Sequence, residues 1–131
     1  MPQALDTSRH VFVYGTLRRG DDNDITRLSP APHWVGDARI AGTMYHFGRY
    51  PGVVLGGNGQ VAGEVYEISP ELERVLDEIE ELYPQQTNEY FKRCIAVQTA
   101  GRTVDCIVYE INAALVADKP VIDSGDWVRG R

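Results

Sequence analysis

The stretch VFVYGTLRRG, residues 11–20, decides the fold of this chain. It belongs to a short run of β-branched and aromatic side chains, HVFVY at residues 10–14, which is typical of a buried strand. Gly15 ends the run and polar chain follows. A glycine turn directly after a strand can point several backbone N–H groups toward one place and so form a site for a carboxylate or a phosphate. An ordinary strand-to-loop turn would have the same sequence, so these residues alone leave both interpretations open.

Strand-like segments dominate the rest of the chain. Residues 18–33 predict a loop with a short helical turn around Asp24–Leu28. Further strands are predicted at residues 38–47, 53–55, 61–68, 90–99 and 103–110, with a turn at 56–59 and a hairpin around Gly101. Gly63 marks a bulge or a close backbone approach. Because the regular strand–helix alternation of a doubly wound sheet is missing, the predicted fold is α+β, a mixed or barrel-like sheet with one or two packed helices.

One helix is predicted over residues 70–80. Ser69 is a good N-cap, and Pro70 suits the first helical position. The apolar residues recur at the spacing i, i+3, i+4, i+7 and form one buried stripe: Leu72, Val75, Leu76 and Ile79. Pro84 ends the helix.

The same helix carries most of the acidic side chains that could take part in chemistry. They are Glu71, Glu73, Asp77, Glu78, Glu80 and Glu81, and most of them form a solvated face. At about 100° per residue, Glu73 and Glu80 flank the apolar stripe. Glu80 also lies at the C-terminal end, where the helix dipole raises a carboxyl pKa, as a general base near neutral pH requires. This position favours Glu80, although geometry alone leaves Glu73 open.

Length and charge restrict the class of protein. The 131 residues predict one domain, residues 1–131, with residues 1–9 as a loose leader. A net charge of −6 without a Lys/Arg-rich run argues against binding to nucleic acid or to an anionic membrane. The sequence contains no run of about 18 apolar residues, so no membrane span is predicted, and the N-terminus has no apolar signal core. Two cysteines fit a reducing compartment, so the predicted localisation is cytoplasmic.

Neither a metal nor a nucleotide cofactor is predicted. His10, His33 and His46 have no metal-ligand spacing to one another or to the cysteines. No glycine-rich nucleotide loop follows the first strand. Cys94 and Cys106 are interpreted as two buried thiols rather than as nucleophiles, because no neighbouring residue suggests an activating base. The tyrosines at positions 45, 50, 66, 90 and 109 are interpreted as core or rim aromatics.

Several stretches in consistent order resemble the γ-glutamylcyclotransferase-like superfamily, which includes the γ-glutamylamine cyclotransferases, the AIG2-like plant proteins and the YtfP-like bacterial proteins. These stretches are VFVYGTLR (11–18), YPGVVL (50–55), VAGEVYEI (61–68), LDEIE (76–80), YFKRCIAV (90–97) and IDSGDW (122–127). The resemblance covers roughly residues 10–128. No single motif is decisive, but the ordered set is fairly specific.

The resemblance implies a small mixed β-barrel with peripheral helices and a specific reaction. Tyr14, Gly15, Thr16 and Leu17 would bind the α-carboxylate of a small γ-glutamyl substrate through backbone groups. Glu80 would be the general acid/base that helps the substrate's own α-amino group close a ring, giving 5-oxoproline and a free amine. The family reaction needs no metal or cofactor.

Two features leave the function open. Glu81 stands where many relatives have glycine, and the stretch LYPQQTNEY, residues 82–90, can reshape the pocket. Arg18 either assists carboxylate binding or faces solvent. The alternatives to the cyclotransferase are a non-catalytic small-molecule binder with the same fold and a hydrolase or isomerase acting on another amide or amino acid. The sequence does not indicate the oligomeric state or the amine half of the substrate.

Overall fold

The run at the start of VFVYGTLRRG forms the central strand of a five-stranded sheet. The computed structural model describes residues 9–80 and 88–127. Its elements are β1 (Arg9–Val13), a 3₁₀ turn (Ile25–Arg27), β2 (His33–His46), β3 (Pro51–Ile68), α1 (Pro70–Ile79), β4 (Tyr90–Thr99), β5 (Arg102–Ile111) and a second 3₁₀ turn (Ala113–Leu115). The strand order is β2-β3-β1-β5-β4. β1 pairs antiparallel with β3 and parallel with β5, so the sheet is mixed and the predicted α+β class is confirmed.

β1 is buried on both faces because it separates two hydrophobic clusters. Phe12 points into one cluster with residues of β2, β3, β4 and β5, together with Trp127 from the C-terminal segment. Val11 and Val13 point into the other cluster, which includes Leu72 and Leu76 of α1. All these side chains are almost completely excluded from solvent. Because successive side chains of a strand point to opposite faces of the sheet, this one short strand contributes side chains to both clusters.

The sheet curls until its edge strands meet. The Thr99 hydroxyl at the end of β4 donates a hydrogen bond to the carbonyl oxygen of Asp37 in β2, at 2.9 Å. Gly36 lies so close to this hydroxyl that a Cβ would come within 2.6 Å of it. The C-terminal segment then covers the other end of β2, where Tyr45 forms a bridge with Val121. The curled sheet has the barrel-like form that the family resemblance implies.

Helix α1 begins and packs as the sequence predicts. The Ser69 hydroxyl accepts a hydrogen bond from the backbone N–H of Leu72 at 3.1 Å, which caps the first turn. Leu72 and Leu76 are fully buried. The last helical residue is Ile79, and Glu80 is the C-cap. Residues 81–87, which include Glu81, Pro84 and most of the divergent stretch, lie outside the described residues.

Two strands are longer than the sequence predicts. β2 starts at His33 rather than at residue 38, since its first residues pair with the end of β3 across an irregularity between Trp34 and Gly36. β3 is one strand, not two. The expected turn at residues 56–59 is an exposed bulge within it, where the register passes from Gly42–Leu55 to Ala41–Gln60. Pairing with β2 on both sides of the bulge keeps the strand continuous.

Other local predictions are confirmed with small shifts. The hairpin turn consists of Ala100 and Gly101, both with positive φ, as a two-residue turn between twisted strands requires. The helical turn expected around residues 24–28 is the 3₁₀ turn Ile25–Arg27. Arg9, predicted as the end of a loose leader, is the first residue of β1. No helix among the described residues is long and apolar enough to cross a membrane.

Gly63 occupies a position where the backbone of β1 and a ring of the core leave no room for a side chain. A Cβ there would lie 2.4 Å from the carbonyl oxygen of Val13 and 2.5 Å from the Phe12 ring. Of the two interpretations of Gly63, the close approach is therefore correct.

Replacing Gly63 by alanine should destabilise the protein by about 1–3 kcal/mol, because the new methyl group overpacks the contact between β1 and β3. The measurement is the midpoint of urea unfolding for Gly63→Ala beside Ala41→Ser, an exposed substitution on β2 expected to stay within about 0.5 kcal/mol. Wild-type stability of Gly63→Ala would contradict the packing described here.

The two cysteines differ in exposure, so the prediction of two buried thiols is wrong for one of them. Cys94 is exposed and Cys106 is buried. In the β4–β5 ladder, Cys94 pairs with Ile107 and Ile95 with Cys106, so the cysteines are offset by one register position and face opposite sides. Burial raises the pKa of the Cys106 thiol to about 12, with smaller contributions from Cys94 and Asp105.

Iodoacetamide at pH 8 should therefore modify native protein at Cys94 only, since it reacts with thiolates and Cys106 is both buried and protonated. Mass spectrometry before and after unfolding measures the sites. The variant Cys94→Ser should take up no label until it is unfolded. Native labelling of Cys106 would show that the inner face of β5 is open to solvent.

Candidate active site

The turn after β1 and the C-terminal end of α1 line the same cavity. Its volume is about 230 Å³, and its wall includes all five residues that the sequence singles out: Tyr14, Gly15, Thr16, Leu17 and Glu80. Such a space, walled by apolar and aromatic surface with a few polar groups, is typical of a small-molecule site. The further lining residues are Phe12, Val13, Asp22, Asn23, Arg49, Tyr50, Pro51, Ile79, Glu89, Tyr90 and Tyr109.

The turn is held by its carbonyl oxygens. Gly15 accepts a hydrogen bond from the N–H of Arg18, Thr16 from that of Asn23 and Leu17 from that of Ile25, each at 2.9 Å. None of these bonds uses the N–H groups of residues 15–17 as donors. Gly15 is buried against Pro51, where a Cβ would lie 2.7 Å from the proline ring. The turn can thus offer amide donors from a fixed backbone.

Arg18 fulfils neither of the two roles that the sequence leaves open. Its guanidinium is largely buried and forms ion pairs with Glu64 at 3.2 Å and with Asp126 at 2.8 Å. Glu64, which is also buried, accepts further hydrogen bonds from the backbone N–H of Arg19 at 3.0 Å and from the Tyr66 hydroxyl at 2.9 Å. Arg18 therefore lies outside the cavity wall and anchors the turn to β3 and to the C-terminal segment.

The structure separates the two acidic candidates on α1. Glu80 is half-buried, lines the cavity, and donates its backbone N–H to the carbonyl oxygen of Leu76 at 2.9 Å. Glu73 forms ion pairs with Arg9 and Lys92 and does not line the cavity. Glu80 is thus the acidic candidate that meets the turn.

Three tyrosine hydroxyls lie close enough to Glu80 to sense its charge. Burial raises the pKa of Tyr14 well above its usual value, and the negative charge of Glu80 raises it further. Burial is also the main cause of the raised pKa values of Tyr90 and Tyr109, with Glu80 contributing to both. The three phenols therefore remain protonated, and their residues line the same cavity as Glu80.

Tyr109 connects the two halves of the site. Its carbonyl oxygen accepts the hydroxyl hydrogen of Tyr14 at 2.5 Å, and its own hydroxyl donates to Asp77 of α1 at 2.7 Å. Asp77 also binds the ammonium group of Lys92 at 3.0 Å. The chain of contacts runs from the end of β1 through β5 to the last turn of the helix that carries Glu80. It fixes the spacing between the turn and that carboxyl group.

Several lining residues were not assigned to a site from the sequence. The sequence indicates Tyr50, Tyr90 and Tyr109 only as core or rim aromatics, and it does not single out Arg49 or Glu89. The YPGVV stretch was one available signal, because a proline packed against the turn brings its preceding residues to the cavity. Among the described residues, no cluster of three or more His, Cys, Asp or Glu side chains could hold a metal ion.

Removing the Tyr109 hydroxyl should reduce the free energy of unfolding by about 1.5–3 kcal/mol, because the bond to Asp77 has a charged acceptor and is largely buried. Chemical unfolding of Tyr109→Phe measures this loss. Tyr45→Phe is the matched control, since the Tyr45 hydroxyl has no partner in the described part of the chain. Equal stability of the two variants would show that the connection between β5 and α1 is not made.

Comparison with known proteins identifies the family of this chain. Residues 11–129 match the family described as γ-glutamyl cyclotransferase, AIG2-like, and the chain belongs to that family. The γ-L-glutamyl-butirosin B γ-glutamyl cyclotransferase of Niallia circulans is 42% identical over 86 residues, which are 64% of this chain and only 54% of that relative. The γ-glutamylcyclotransferase family protein YtfP of Escherichia coli is 33% identical over 125 residues, 90% of this chain and 95% of its own length.

The fold agrees with solved relatives as well. The crystal structure of an AIG2-like protein from mouse superposes with a TM-score of 0.70 at 28% identity, covering 88% of this chain and 86% of that one. The resemblance to the superfamily that the motifs suggest is confirmed.

Proposed function

We propose that this protein is a γ-glutamylcyclotransferase that converts a γ-glutamyl amide to 5-oxoproline and a free amine, with Glu80 as general acid/base. The observation that supports it best is the shared cavity of Glu80 and the turn at residues 14–17. Family membership supports the reaction class, as does the activity that the name of the butirosin relative gives.

In the proposed reaction, the turn holds the glutamyl half of the substrate. Backbone N–H groups of Gly15, Thr16 and Leu17 bind the α-carboxylate, and the fixed backbone positions the chain for ring closure. Holding the α-amino group near the γ-carbonyl carbon gives the advantage of an intramolecular reaction. Amide donors of the turn that remain unused can stabilise the developing oxyanion.

Glu80 then carries protons from the attacking nitrogen to the leaving nitrogen. The α-ammonium of the substrate gives a first proton to the Glu80 carboxylate, and the free amine attacks the γ-carbonyl carbon. As the tetrahedral intermediate collapses, the carboxyl group gives this proton to the leaving nitrogen and the original amide bond breaks. The ring nitrogen loses its second proton to the regenerated carboxylate, which passes it to the released amine, so that the amine leaves as an ammonium ion. A new C–N bond has formed, one C–N bond has broken, and no water is consumed.

Glu80→Gln should lower kcat/KM for 5-oxoproline release by about 10²–10⁴-fold, the usual contribution of a general acid/base. Wild-type protein is assayed on a panel of γ-glutamyl amines and γ-glutamyl amino acids. Glu78→Gln, an exposed change on the same helix, is the matched control and should retain full activity.

Two outcomes would contradict the proposal. Full activity of Glu80→Gln would remove the general acid/base from that position. Absence of turnover on the whole panel, combined with a ligand-induced rise in melting temperature, would favour the non-catalytic binder.

A further inference from the structure

The charged groups around the cavity are not balanced. Among the lining residues that the structure describes, Asp22, Glu80 and Glu89 are acidic, and Arg49 is the one basic residue. A cation at the wall of a small-molecule cavity needs an explanation in a chain with a net charge of −6.

Arg49 is held at the cavity by a short, ordered connection between β2 and β3. The N–H of Phe47 donates to the carbonyl oxygen of Tyr50 at 3.0 Å, and the two rings stack with their centroids 5.6 Å apart. Gly48 has a φ of 98°, a conformation that favours glycine and turns the chain tightly. The N–H of Gly48 also donates to the His46 ring at 2.9 Å. The backbone that carries Arg49 is therefore fixed although its side chain is exposed.

The charge of Arg49 is unused within the described part of the protein, where it makes no ion pair. This separates it from Arg18, Lys92 and Arg93, each of which is paired with at least one carboxylate. Glu89, the acidic residue on the same wall, accepts a hydrogen bond from the Tyr50 hydroxyl instead. The guanidinium is available to an anion that enters the cavity.

The proposed reaction leaves one part of the substrate unassigned. The turn amides bind the glutamyl α-carboxylate, and Glu80 exchanges a proton with the two nitrogens. Neither group contacts the remainder of the amine half. A guanidinium is well suited to a carboxylate, which it can bind through two parallel hydrogen bonds.

We propose that Arg49 binds a carboxylate on the amine half of the substrate, so that γ-glutamyl amino acids are preferred over γ-glutamyl derivatives of simple amines. This inference rests on the proposed function and deepens it. It also distinguishes this chain from the Niallia circulans relative, whose name gives γ-L-glutamyl-butirosin B as substrate.

The carboxylate of the amine half does not change during ring closure. Arg49 therefore binds the ground state and the transition state equally, and its loss should raise KM while leaving kcat unchanged. For an exposed guanidinium the expected effect is about tenfold, which corresponds to roughly 1.4 kcal/mol. It should weaken as salt concentration rises.

The experiment compares two substrates that differ by one carboxylate, γ-L-glutamyl-L-alanine and γ-L-glutamyl-ethylamide. A third substrate, γ-L-glutamyl-1,4-diaminobutane, carries a cationic group on its amine half. Wild-type protein should show the lowest KM for the alanine compound. Arg49→Gln should raise that KM about tenfold with unchanged kcat and leave the ethylamide kinetics as they were. Arg49→Lys should restore part of the difference, and Arg102→Gln, an exposed arginine outside the cavity, should behave as wild type.

The outcomes separate this inference from the proposed function. If wild-type protein releases 5-oxoproline but Arg49→Gln weakens both neutral and anionic substrates equally, Arg49 binds the glutamyl half and the inference is wrong. It is also wrong if Arg49→Gln changes nothing, or if the diamine compound is preferred, since Asp22 and Glu89 would then select the substrate. Absence of turnover on all three compounds and on the wider panel overturns the proposed function itself.

Discussion

The buried carboxylate of Glu64 is the group on which the arrangement of this protein depends. It accepts hydrogen bonds from the Arg18 guanidinium, the Arg19 backbone N–H and the Tyr66 hydroxyl, and Arg18 also forms an ion pair with Asp126. The network therefore joins three segments that are distant in sequence: the turn after β1, strand β3 and the C-terminal segment. A buried ion pair contributes little net stability compared with apolar packing, but removing one partner is costly because the other is left uncompensated. The network is better understood as a constraint that admits one position of the turn.

That constraint explains why the turn can act as a ligand site. Glu64 and Asp126 hold Arg18 from outside, and the carbonyl oxygens of residues 15–17 are used by internal hydrogen bonds. The N–H groups of residues 15–17 donate none of these hydrogen bonds, and the backbone that carries them cannot easily rearrange. Tyr109 also connects Tyr14 to α1 and so sets where the end of that helix lies. The turn and the helix end are thus positioned by contacts that take no part in the proposed chemistry, and their spacing is a property of the fold.

The sequence predicted the local features of the fold better than its pairings. Ser69 and the apolar spacing predict the helix, and Gly101 predicts the hairpin, because caps, periodicity and turn residues act over a few positions. The bulge at residues 56–59 was expected to divide two strands. A glycine-rich segment has the same local preference in a turn and in a bulge, and only the register with β2 decides between them. Likewise, the exposure of Cys94 follows from a one-position offset in the β4–β5 ladder, which no local pattern reveals.

The sequence predicts the turn and the carboxyl group of the candidate site, but not the other residues that line the cavity, which form its rim. A strand followed by a glycine turn and a carboxyl group beside an apolar stripe are recognisable in sequence, and both line the cavity. Tyr109 reaches the cavity through tertiary packing, so its neighbours in sequence give no indication of a site. Arg49 directly precedes the YPGVV stretch, and that stretch is the one local signal for its position.

This division between a recognisable centre and a hidden rim follows from the proposed chemistry. A γ-glutamyl substrate brings its own nucleophile, so the protein needs only to hold one carboxylate and to transfer protons between two nitrogens. In the proposed function, a backbone turn performs the first task and one carboxyl group at a helix end performs the second. The amine half takes no part in bond formation until it leaves. Residues that contact it, such as Arg49, can therefore set substrate preference through binding alone, independently of the groups that close the ring.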